Sequence, residues 1–210
     1  MNKKIFSYFC LLFALVFVSC EETEEVGRYD NWRARNEAFI DSLANVYDAD
    51  PVNHGGLQRF SMYISPSEYI YYKVKEKVES DAENQDLLGK RPTTGSTVTV
   101  YYKGMNILRE RFDGFYGEGP NVDDPDGSGV NVREGETNPS TFELSTLVSG
   151  WQEVLQHMRV GDRWEVYIPW QYGYGSSGQK DSSTNTTIIL GYSALIFDIQ
   201  LLDTDYVAEE

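Results

Sequence analysis

The spacing of apolar positions changes from a helical to a strand period between residues 147 and 175. In the first part an apolar side chain recurs every three or four positions, at Trp151, Val154, Leu155 and Met158. In the second part apolar side chains alternate with others, at Trp164, Val166 and Ile168. This pattern predicts one short amphipathic helix followed by a strand with one buried face. A single helix with one apolar stripe needs a sheet to cover that stripe.

The ends of these two elements carry signals of their own. Ser149 followed three residues later by Gln152 has the spacing of a capping box, so the helix is expected to begin at about Gly150. Gly161 is the expected stop of the helical segment. Pro169 ends the strand, because proline lacks the N–H that a sheet ladder requires.

Runs rich in β-branched and aromatic residues predict further strands, and polar stretches with Gly and Pro predict the connections. Strands are expected at residues 68–78, 97–103, 106–112 and 193–202. The first is expected at a sheet edge, because its lysines discourage further pairing. Loops are expected at residues 48–67, 80–96, 114–140 and 176–187. The 114–140 stretch is long for a compact domain, which indicates either a functional or a disordered segment.

Residues 31–47 predict an amphipathic helix near the beginning of the chain, capped by Asp30 or Asn31. Its apolar face contains Trp32, Phe39, Ile40, Leu43 and Tyr47, with Asn36 among them. Such a face needs a partner. We expect it to pack on the outside of the following domain, and a dimer formed through this helix is the alternative.

The first residues have the features of a targeting segment. Lys3 and Lys4 precede an apolar run that is short for a membrane span, and residues 1–19 are expected to be a signal peptide. Ser19 before Cys20 resembles a bacterial lipobox, which implies acylation of Cys20; an ordinary signal peptide cut elsewhere is the alternative. Residues 20–29 form an acidic tether. These features predict a Gram-negative cell-envelope protein, lipid-anchored to the outer membrane on its periplasmic or outer face.

Composition excludes several classes of function. The net charge is −15, which argues against a nucleic-acid partner. Both cysteines, Cys10 and Cys20, lie in the first twenty residues, so the rest of the chain has neither disulfide nor thiol chemistry. The two histidines, His54 and His157, are isolated from any cysteine, so no zinc site and no cofactor is expected.

Five sequence blocks in order resemble the FKBP-type peptidyl-prolyl cis-trans isomerases, and most closely their Mip-like bacterial lipoprotein branch. The blocks are Val100-Tyr-Tyr102-x-Gly104 with Phe112-Asp113, Val148-x-Gly150-Trp151, Met158-x-x-Gly161, Ile168-Pro169 with Tyr172-Gly-Tyr174-Gly175, and Leu195-Ile-Phe197. The resemblance covers about residues 68–203. It implies an α+β fold, in which an FKBP-like twisted antiparallel β-sheet wraps around one short α-helix. The division expected is an N-terminal helical extension at 30–67, an isomerase domain at 68–204 and a tail at 205–210.

The resemblance also implies a pocket made of named residues. Trp151 would be its floor, its walls would be Tyr102, Phe112, Phe142 and Phe197, and Leu147, Val148 and Ile189 would complete it. The Tyr174 hydroxyl and the Val148 N–H would donate to substrate carbonyls, and Asp113 would be a buried acid that orients its neighbours. On periodicity alone, Val98, Val100, Leu195 and Ile199 are interpreted as core, and Trp164 and Trp170 as packing residues.

A pocket of this kind suits an isomerase that needs no metal, because rotation about an X–Pro bond is opposed by amide resonance alone. The resemblance implies an envelope isomerase that assists the folding of proline-containing polypeptides outside the cytoplasm. The chain departs from the family at Gly114, Ser140 and Gly191, and it has no clear match to the family's pocket arginine. A non-catalytic lipoprotein that binds a peptide or partner is therefore the alternative, and a purely structural lipoprotein is the third reading.

Overall fold

The computed structural model of the protein describes residues 27–76, 89–115 and 139–205. The chain divides into two compact units, Met1–Asp30 and Asn31–Glu210. Of the first unit the structure describes a turn, in which the Gly27 N–H donates to the Asp30 carboxylate over 2.6 Å. The expected signal peptide, Cys20, most of the acidic tether, residues 116–138 of the long loop and the last five residues lie outside the described residues.

The second unit contains two helices and nine strands among its described residues. The helices are α1 (Trp32–Ala49) and α2 (Ser149–His157). The strands are β1 (Gln58–Met62), β2 (Ser65–Glu76), β3 (Thr97–Met105), β4 (Arg111–Phe115), β5 (Ser140–Glu143), β6 (Arg163–Ile168), β7 (Gln179–Lys180), β8 (Thr187–Ile189) and β9 (Leu195–Thr204). Single 3₁₀ turns lie at His54–Gly56, Leu144–Thr146 and Trp170–Tyr172.

Seven of these strands form one antiparallel sheet in the order β1-β2-β6-β9-β3-β4, with β5 also pairing with β3. The short strands β7 and β8 form a separate ribbon. A twisted sheet of this kind presents two faces, and along each strand the side chains alternate between them. The α+β architecture expected from the sequence is confirmed.

The inner face of the sheet packs on α2 and forms the main core. One inner row crosses four strands through Val74, Trp164, Ile199 and Tyr102. The apolar stripe of α2 packs against this face with Val154 and Leu155, both 0% exposed. Helix and sheet approach closely at Gly150, where a Cβ would lie 2.4 Å from an Ile168 side-chain carbon. The predicted helix stripe is therefore confirmed. The predicted inner residues of the strand, Trp164, Val166 and Ile168, are buried as expected, but Tyr167 on the opposite face is buried as well, so the strand is not half-buried along its whole length.

The outer face of the sheet carries an apolar row beside a charged row. The apolar row is Tyr71, Tyr167, Ile196 and Met105, and the charged row is Lys73, Glu165, Asp198 and Lys103. Opposite charges face each other in the outer pairs Lys73–Glu165 and Lys103–Asp198, an arrangement that stabilises sheets. In the middle pair the like charges of Glu165 and Asp198 are opposite each other, and they are offset by ion pairs with Lys75 and Arg163.

Helix α1 covers the outer apolar row. The apolar face of the helix, which consists of Phe39, Ile40, Leu43, Ala44 and Tyr47, packs against a buried cluster. This cluster contains Tyr71, Tyr167, Ile196, Met105 and Leu57. The Phe39 ring meets the Tyr167 ring edge-on, with 6.0 Å between centroids. The expectation that this helix packs on the outside of the domain is thus confirmed, and its apolar face is covered within the chain.

The expected capping box of α2 is wrong, whereas one of the two expected cap residues of α1 is found at the cap position without a capping bond. Val148 is the N-cap of α2 and makes no side-chain capping bond. The Gln152 amide donates instead to the Leu147 carbonyl over 2.7 Å, so it reaches back past the cap position. At α1 the N-cap is Asn31, one of the two expected residues, but it has a left-handed conformation (φ 52°) and makes no side-chain capping bond. Cap chemistry depends on this backbone conformation, which residue types alone do not fix.

Two strand assignments also differ from the expectation. Residues 48–67 were expected to be a loop, but β1 forms there and pairs with β2, with Phe60 opposite Ile70. Because β1 lies outside it, β2 is an inner strand and not the predicted edge; its Lys75 forms an ion pair with Glu165 at 3.3 Å instead. The strand expected at 106–112 begins only at Arg111, because the Asn106 side chain accepts backbone hydrogen bonds that form a turn.

Candidate active site

Three aromatic side chains from different elements meet at the beginning of α2. Trp151 lies in the first turn of the helix, Tyr102 near the middle of β3 and Phe197 on β9. The centroid of the Trp151 ring lies 5.1 Å from that of Tyr102 and 5.1 Å from that of Phe197. The angle between the ring planes is 89° for Tyr102 and 90° for Phe197. Both rings therefore stand perpendicular to the indole, which is the arrangement of walls around a floor. Such edge-to-face contacts are favourable for aromatic rings.

Phe142 on β5 adds a third wall. Its ring lies 6.1 Å from Trp151 at 83° and 5.8 Å from Tyr102. Leu147 and Val148 pack against the main core that contains these rings, and Ile189, which is 3% exposed, belongs to that core. The structure therefore brings these sequence-predicted residues to one place.

Phe112 joins this group through an irregularity in β4. The register between β3 and β4 shifts after Gly104, so Asp113 faces Gly104 while Arg111 faces Met105. Phe112 is the extra residue of this bulge, and its ring contacts Phe197 edge-on at 5.6 Å. Bulges commonly redirect side chains at sites, and here the shift lets both Phe112 and Asp113 contact site residues.

Gly104 is a site residue that the sequence reasoning did not name for itself. A Cβ at this position would lie 2.7 Å from both the Phe112 and the Phe197 ring. Any larger side chain would therefore displace the two rings. The available signal was an isolated glycine in an otherwise alternating strand, which often marks a close approach.

The expectation that Asp113 is a buried acid is wrong. Its side chain is exposed, because it lies on the edge strand β4 opposite Gly104, which has no side chain to cover it. The carboxylate accepts the Gly114 N–H over 2.8 Å. Burial, together with the charge and hydrogen bonding of Asp113, raises the pKa of the Tyr102 hydroxyl far above its ordinary value. The Asp113 carboxylate therefore lies close enough to the Tyr102 hydroxyl to affect its pKa.

Tyr174 follows the 3₁₀ turn Trp170–Tyr172. It is half-buried and packs on the aromatic cluster. Burial, and then the nearby charge of Asp113, raises the pKa of its hydroxyl, so the group keeps its proton near neutral pH. Within the described part of the chain no side-chain or backbone group accepts this proton in a hydrogen bond. The Tyr174 hydroxyl is therefore available as a donor.

A second donor lies at the beginning of α2. The Val148 carbonyl accepts hydrogen bonds from the N–H groups of Trp151 and Gln152, which starts the helix. The Val148 N–H itself has no partner among residues 27–76, 89–115 and 139–205. The first N–H groups of a helix generally lack partners within the helix. Val148 therefore offers a backbone donor beside Trp151.

Residues that were interpreted as core or packing are found in those positions. Val98, Val100, Leu195 and Ile199 are each 0% exposed. Trp164 lies in the core and stacks on Tyr72 with 4.1 Å between centroids. Trp170 packs away from the aromatic cluster, edge-on to Tyr192 at 4.9 Å. In the described ranges no group of three His, Cys, Asp or Glu side chains could hold a metal ion.

Comparison with known proteins identifies the class. The sequence pattern of the family "FKBP-type peptidyl-prolyl cis-trans isomerase" matches residues 89–202, which is more than half of the chain and includes nearly all of the aromatic cluster. The chain therefore belongs to the FKBP-type peptidyl-prolyl cis-trans isomerase family.

Its relatives include Mip and FkpA proteins. The chain is 33% identical over 114 residues to the peptidyl-prolyl cis-trans isomerase Mip of Coxiella burnetii, covering 54% of this chain and 39% of that protein. It is 30% identical over 115 residues to the isomerase FkpA of Escherichia coli K12, covering 55% and 33%. The outer membrane protein MIP of Legionella longbeachae is 33% identical over 87 residues, covering 41% and 30%. The chain thus matches 39% or less of each of these relatives.

Solved structures agree on the fold. A peptidyl-prolyl isomerase from Pseudomonas syringae pv. tomato superposes with a TM-score of 0.52 at 20% identity, covering 81% of this chain and 96% of that one. FkpA from Escherichia coli gives a TM-score of 0.52 at 21% identity, covering 97% and 73%. Within the described ranges, neither helix is long and apolar enough to cross a membrane.

Proposed function

We propose that this protein is a peptidyl-prolyl cis-trans isomerase that acts on proline-containing polypeptides in the cell envelope. The observation that carries the proposal is the aromatic cup, in which Tyr102, Phe142 and Phe197 stand around the Trp151 indole. The Tyr174 hydroxyl and the Val148 N–H, which have no partner among the described residues, supply two donors. The family relationship supports the reaction, and the cup supplies a physical means to perform it.

Catalysis of this reaction requires differential binding and no covalent chemistry. The barrier of about 18–20 kcal/mol arises because the planar amide is stabilised by resonance. Water strengthens that resonance, since it hydrogen-bonds to the polarised carbonyl oxygen. A dry aromatic cup removes this water, and it holds the twisted amide better than the planar one. Trp151 would contact the proline ring from below, while Tyr102, Phe112, Phe142 and Phe197 would surround it, completed by Leu147, Val148 and Ile189.

The two donors would fix the substrate backbone. The Tyr174 hydroxyl would donate to one substrate carbonyl and the Val148 N–H to another. The Tyr174 hydroxyl can donate because a tyrosine keeps its proton at neutral pH, and burial raises its pKa further. Asp113, hydrogen-bonded to Tyr102, would orient that ring and take no proton from the substrate. Donors placed in a water-poor site stabilise a transition state more than donors in water do.

We also propose the location inferred from the leader sequence. Residues 1–19 would be removed, Cys20 would be acylated, and residues 20–29 would link the lipid to the folded domain. One relative is named an outer membrane protein, which supports an envelope location. Mass spectrometry of the membrane-extracted protein tests this proposal: a lipid-modified Cys20 at the N-terminus is expected, and an unmodified N-terminus would refute it.

A matched pair of tryptophan substitutions tests the site. Trp151 and Trp164 are similarly buried, at 4% and 6% exposure, but only Trp151 forms the floor of the cup. Trp151→Phe should lower kcat/KM for an Ala-Pro peptide about tenfold, because it removes contacts with the prolyl ring. Trp164→Phe should leave kcat/KM within about twofold, since its ring only packs in the core.

The wild-type protein decides between the two functions considered. A rate above the uncatalysed isomerisation supports the enzyme. Saturable binding of the peptide without any rate enhancement would instead support a binding lipoprotein. If the protein neither binds the peptide nor accelerates its isomerisation, the result would support a structural protein.

A further inference from the structure

A buried polar residue interrupts the apolar face of α1. Asn36 is 0% exposed, and both ends of its amide are hydrogen-bonded. Its Oδ1 accepts the backbone N–H of Ala194 over 2.8 Å, and its Nδ2 donates to the Trp32 carbonyl over 2.7 Å. The first bond joins the helix to the chain just before β9, across 158 residues of sequence. A buried amide in such a place indicates a specific connection, because an apolar residue would pack there at no desolvation cost.

Two further contacts from α1 reach the same part of the chain. The Trp32 indole N–H donates to the Ser193 hydroxyl over 2.9 Å, and that hydroxyl donates to the Leu190 carbonyl over 2.7 Å. The Arg33 guanidinium lies over the Tyr192 ring at 4.8 Å. The 190–194 segment, meaning residues 190 to 194, is therefore held by the first turns of α1.

The 190–194 segment connects two walls of the aromatic cup. It follows Ile189 directly and leads through two residues of β9 to Phe197. It also supports the rim, because the Tyr192 N–H donates to the Gly175 carbonyl over 2.9 Å, next to Tyr174. Tyr192 has a left-handed backbone conformation (φ 62°), which is costly for a residue with a side chain and persists only where the surroundings fix it.

From these contacts we infer that Asn36 is a positioning residue for the isomerase site. By capping the Ala194 N–H, it fixes the 190–194 segment, and this segment sets the places of Ile189, Tyr174 and Phe197. The helix outside the sheet thereby acts on the cup inside it. The inference rests on the proposed function, and it adds a residue that lies outside the cup altogether.

Phe39, on the same helix, offers a comparison with Asn36. Phe39 contacts Tyr167 in the outer apolar row and makes no bond to the 190–194 segment. If α1 only covered the sheet, substitutions of Asn36 and of Phe39 would have similar effects on kcat/KM. If Asn36 positions the segment, its loss leaves the Ala194 N–H buried and unpaired, and the backbone must move to regain a partner.

The test compares Asn36→Leu with Phe39→Ala, at a temperature where near-UV circular dichroism shows both variants folded. Asn36→Leu should lower kcat/KM about tenfold, since misplacing a site residue by about 1 Å can cost up to about a hundredfold in rate. Phe39→Ala should keep kcat/KM within about twofold of wild type, because the cup keeps its positions. Equal losses in the two variants, or no loss in Asn36→Leu, would overturn the inference.

Amide NMR without substrate separates this inference from the proposed function. The amide resonances of Tyr174 and Ile189 should move in Asn36→Leu and stay in Phe39→Ala, whether or not the wild type is an active isomerase. Unmoved resonances in Asn36→Leu would refute the positioning role even in an active enzyme. If Asn36→Leu does not fold, Asn36→Ala replaces it under the same criteria, because it removes the same Oδ1 acceptor of the Ala194 N–H with a smaller side chain.

Discussion

The two faces of the central sheet have different roles, although they are formed by neighbouring residues of the same strands. The outer row Tyr71, Tyr167, Ile196 and Met105 lies beside the inner row Tyr72, Val166, Phe197 and Gly104. On β3 the outer row ends in methionine, which α1 covers, whereas the inner row ends in glycine. The missing side chain leaves space that the Phe112 and Phe197 rings enter. The outer row is thus covered by α1, whereas on the inner face two aromatic rings take the place of the missing side chain.

This difference teaches that the cup depends on an omission as much as on its aromatic residues. Aromatic side chains are abundant on both faces, with Tyr71 and Tyr167 outside and Tyr72 and Phe197 inside. Abundance therefore does not identify the site. What distinguishes the inner face is the combination of Gly104, the β4 bulge and the first turn of α2.

The largest effect is expected from filling that omission. Gly104→Val should reduce kcat/KM by about a hundredfold or more, because its side chain would displace both rings of the cup. The adjacent outer-face substitution Met105→Ala should destabilise the protein by about 2–4 kcal/mol and keep kcat/KM within about twofold. Steady-state kinetics and urea unfolding of both variants measure the two effects. A fully active Gly104→Val would contradict the role of the gap.

The second effect concerns the cover of the outer face. Phe39→Ala should lower the free energy of unfolding by about 2 kcal/mol, since a partly buried ring loses its contact with Tyr167. Denaturant titration measures this change. A stability equal to that of wild type would mean that α1 contributes little to the folded state.

The third effect is local to the rim of the cup. Asp113→Asn should lower kcat/KM about threefold to tenfold, because one oriented hydrogen bond is worth about 0.5–1.5 kcal/mol. It should also lower the pKa of Tyr102, because the charge of Asp113 helps to raise it. Ultraviolet titration of the tyrosines follows the second change, with Tyr102→Phe as the control that identifies the affected residue.

The smallest effect belongs to the charged row of the outer face. Burial opposes ionisation of Glu165, but the hydrogen bond from Tyr167 and the charges of Arg109 and Lys75 hold the pKa of its carboxyl below the ordinary 4.5. Its stabilisation is therefore present above pH 4.5 and is lost as the pH falls through the lowered pKa of the folded state.

Glu165→Gln tests this dependence. At neutral pH it should cost about 1 kcal/mol of stability, as expected for a networked, partly buried ion pair. The cost should shrink on acidification, and kcat/KM should not change, because Glu165 lies on the face away from the cup. A cost that is independent of pH would show that the carboxylate charge does not contribute.

Sequence reasoning succeeded where a residue's place follows from a period. Trp151, Val154 and Leu155 repeat at helical spacing, and the structure places them on one face of α2. The inward residues of β3 and β9 follow the same logic. The aromatic residues of the site were identified from the ordered family pattern. Periodicity alone does not distinguish the site residue Tyr102 from the core residue Val100, because both alternate on the same strand.

It failed where the outcome depends on backbone conformation or on distant partners. β1 has one fully buried residue, Met62, so five residues carried too little pattern to indicate a strand. The exposure of Asp113 follows from the bulge in β4 and from Gly104 opposite, and neither is visible in local residue types. The bond from Asn36 to Ala194 joins positions too far apart for any local rule.

The register of the sheet sets the order in which the chain can fold. β3 and β9 are adjacent in the sheet, and Val98 faces Thr204 at one end of the pair. Contacts between residues so distant in sequence form only after a long loop has closed. The entropy cost of that closure precedes the stabilising contacts, and this makes folding slow. β9 also separates β6 from β3, so the sheet stays in two parts until this last strand arrives. The two parts of the sheet therefore stay unjoined until β9 is available, whether the chain leaves a ribosome or emerges beyond a membrane.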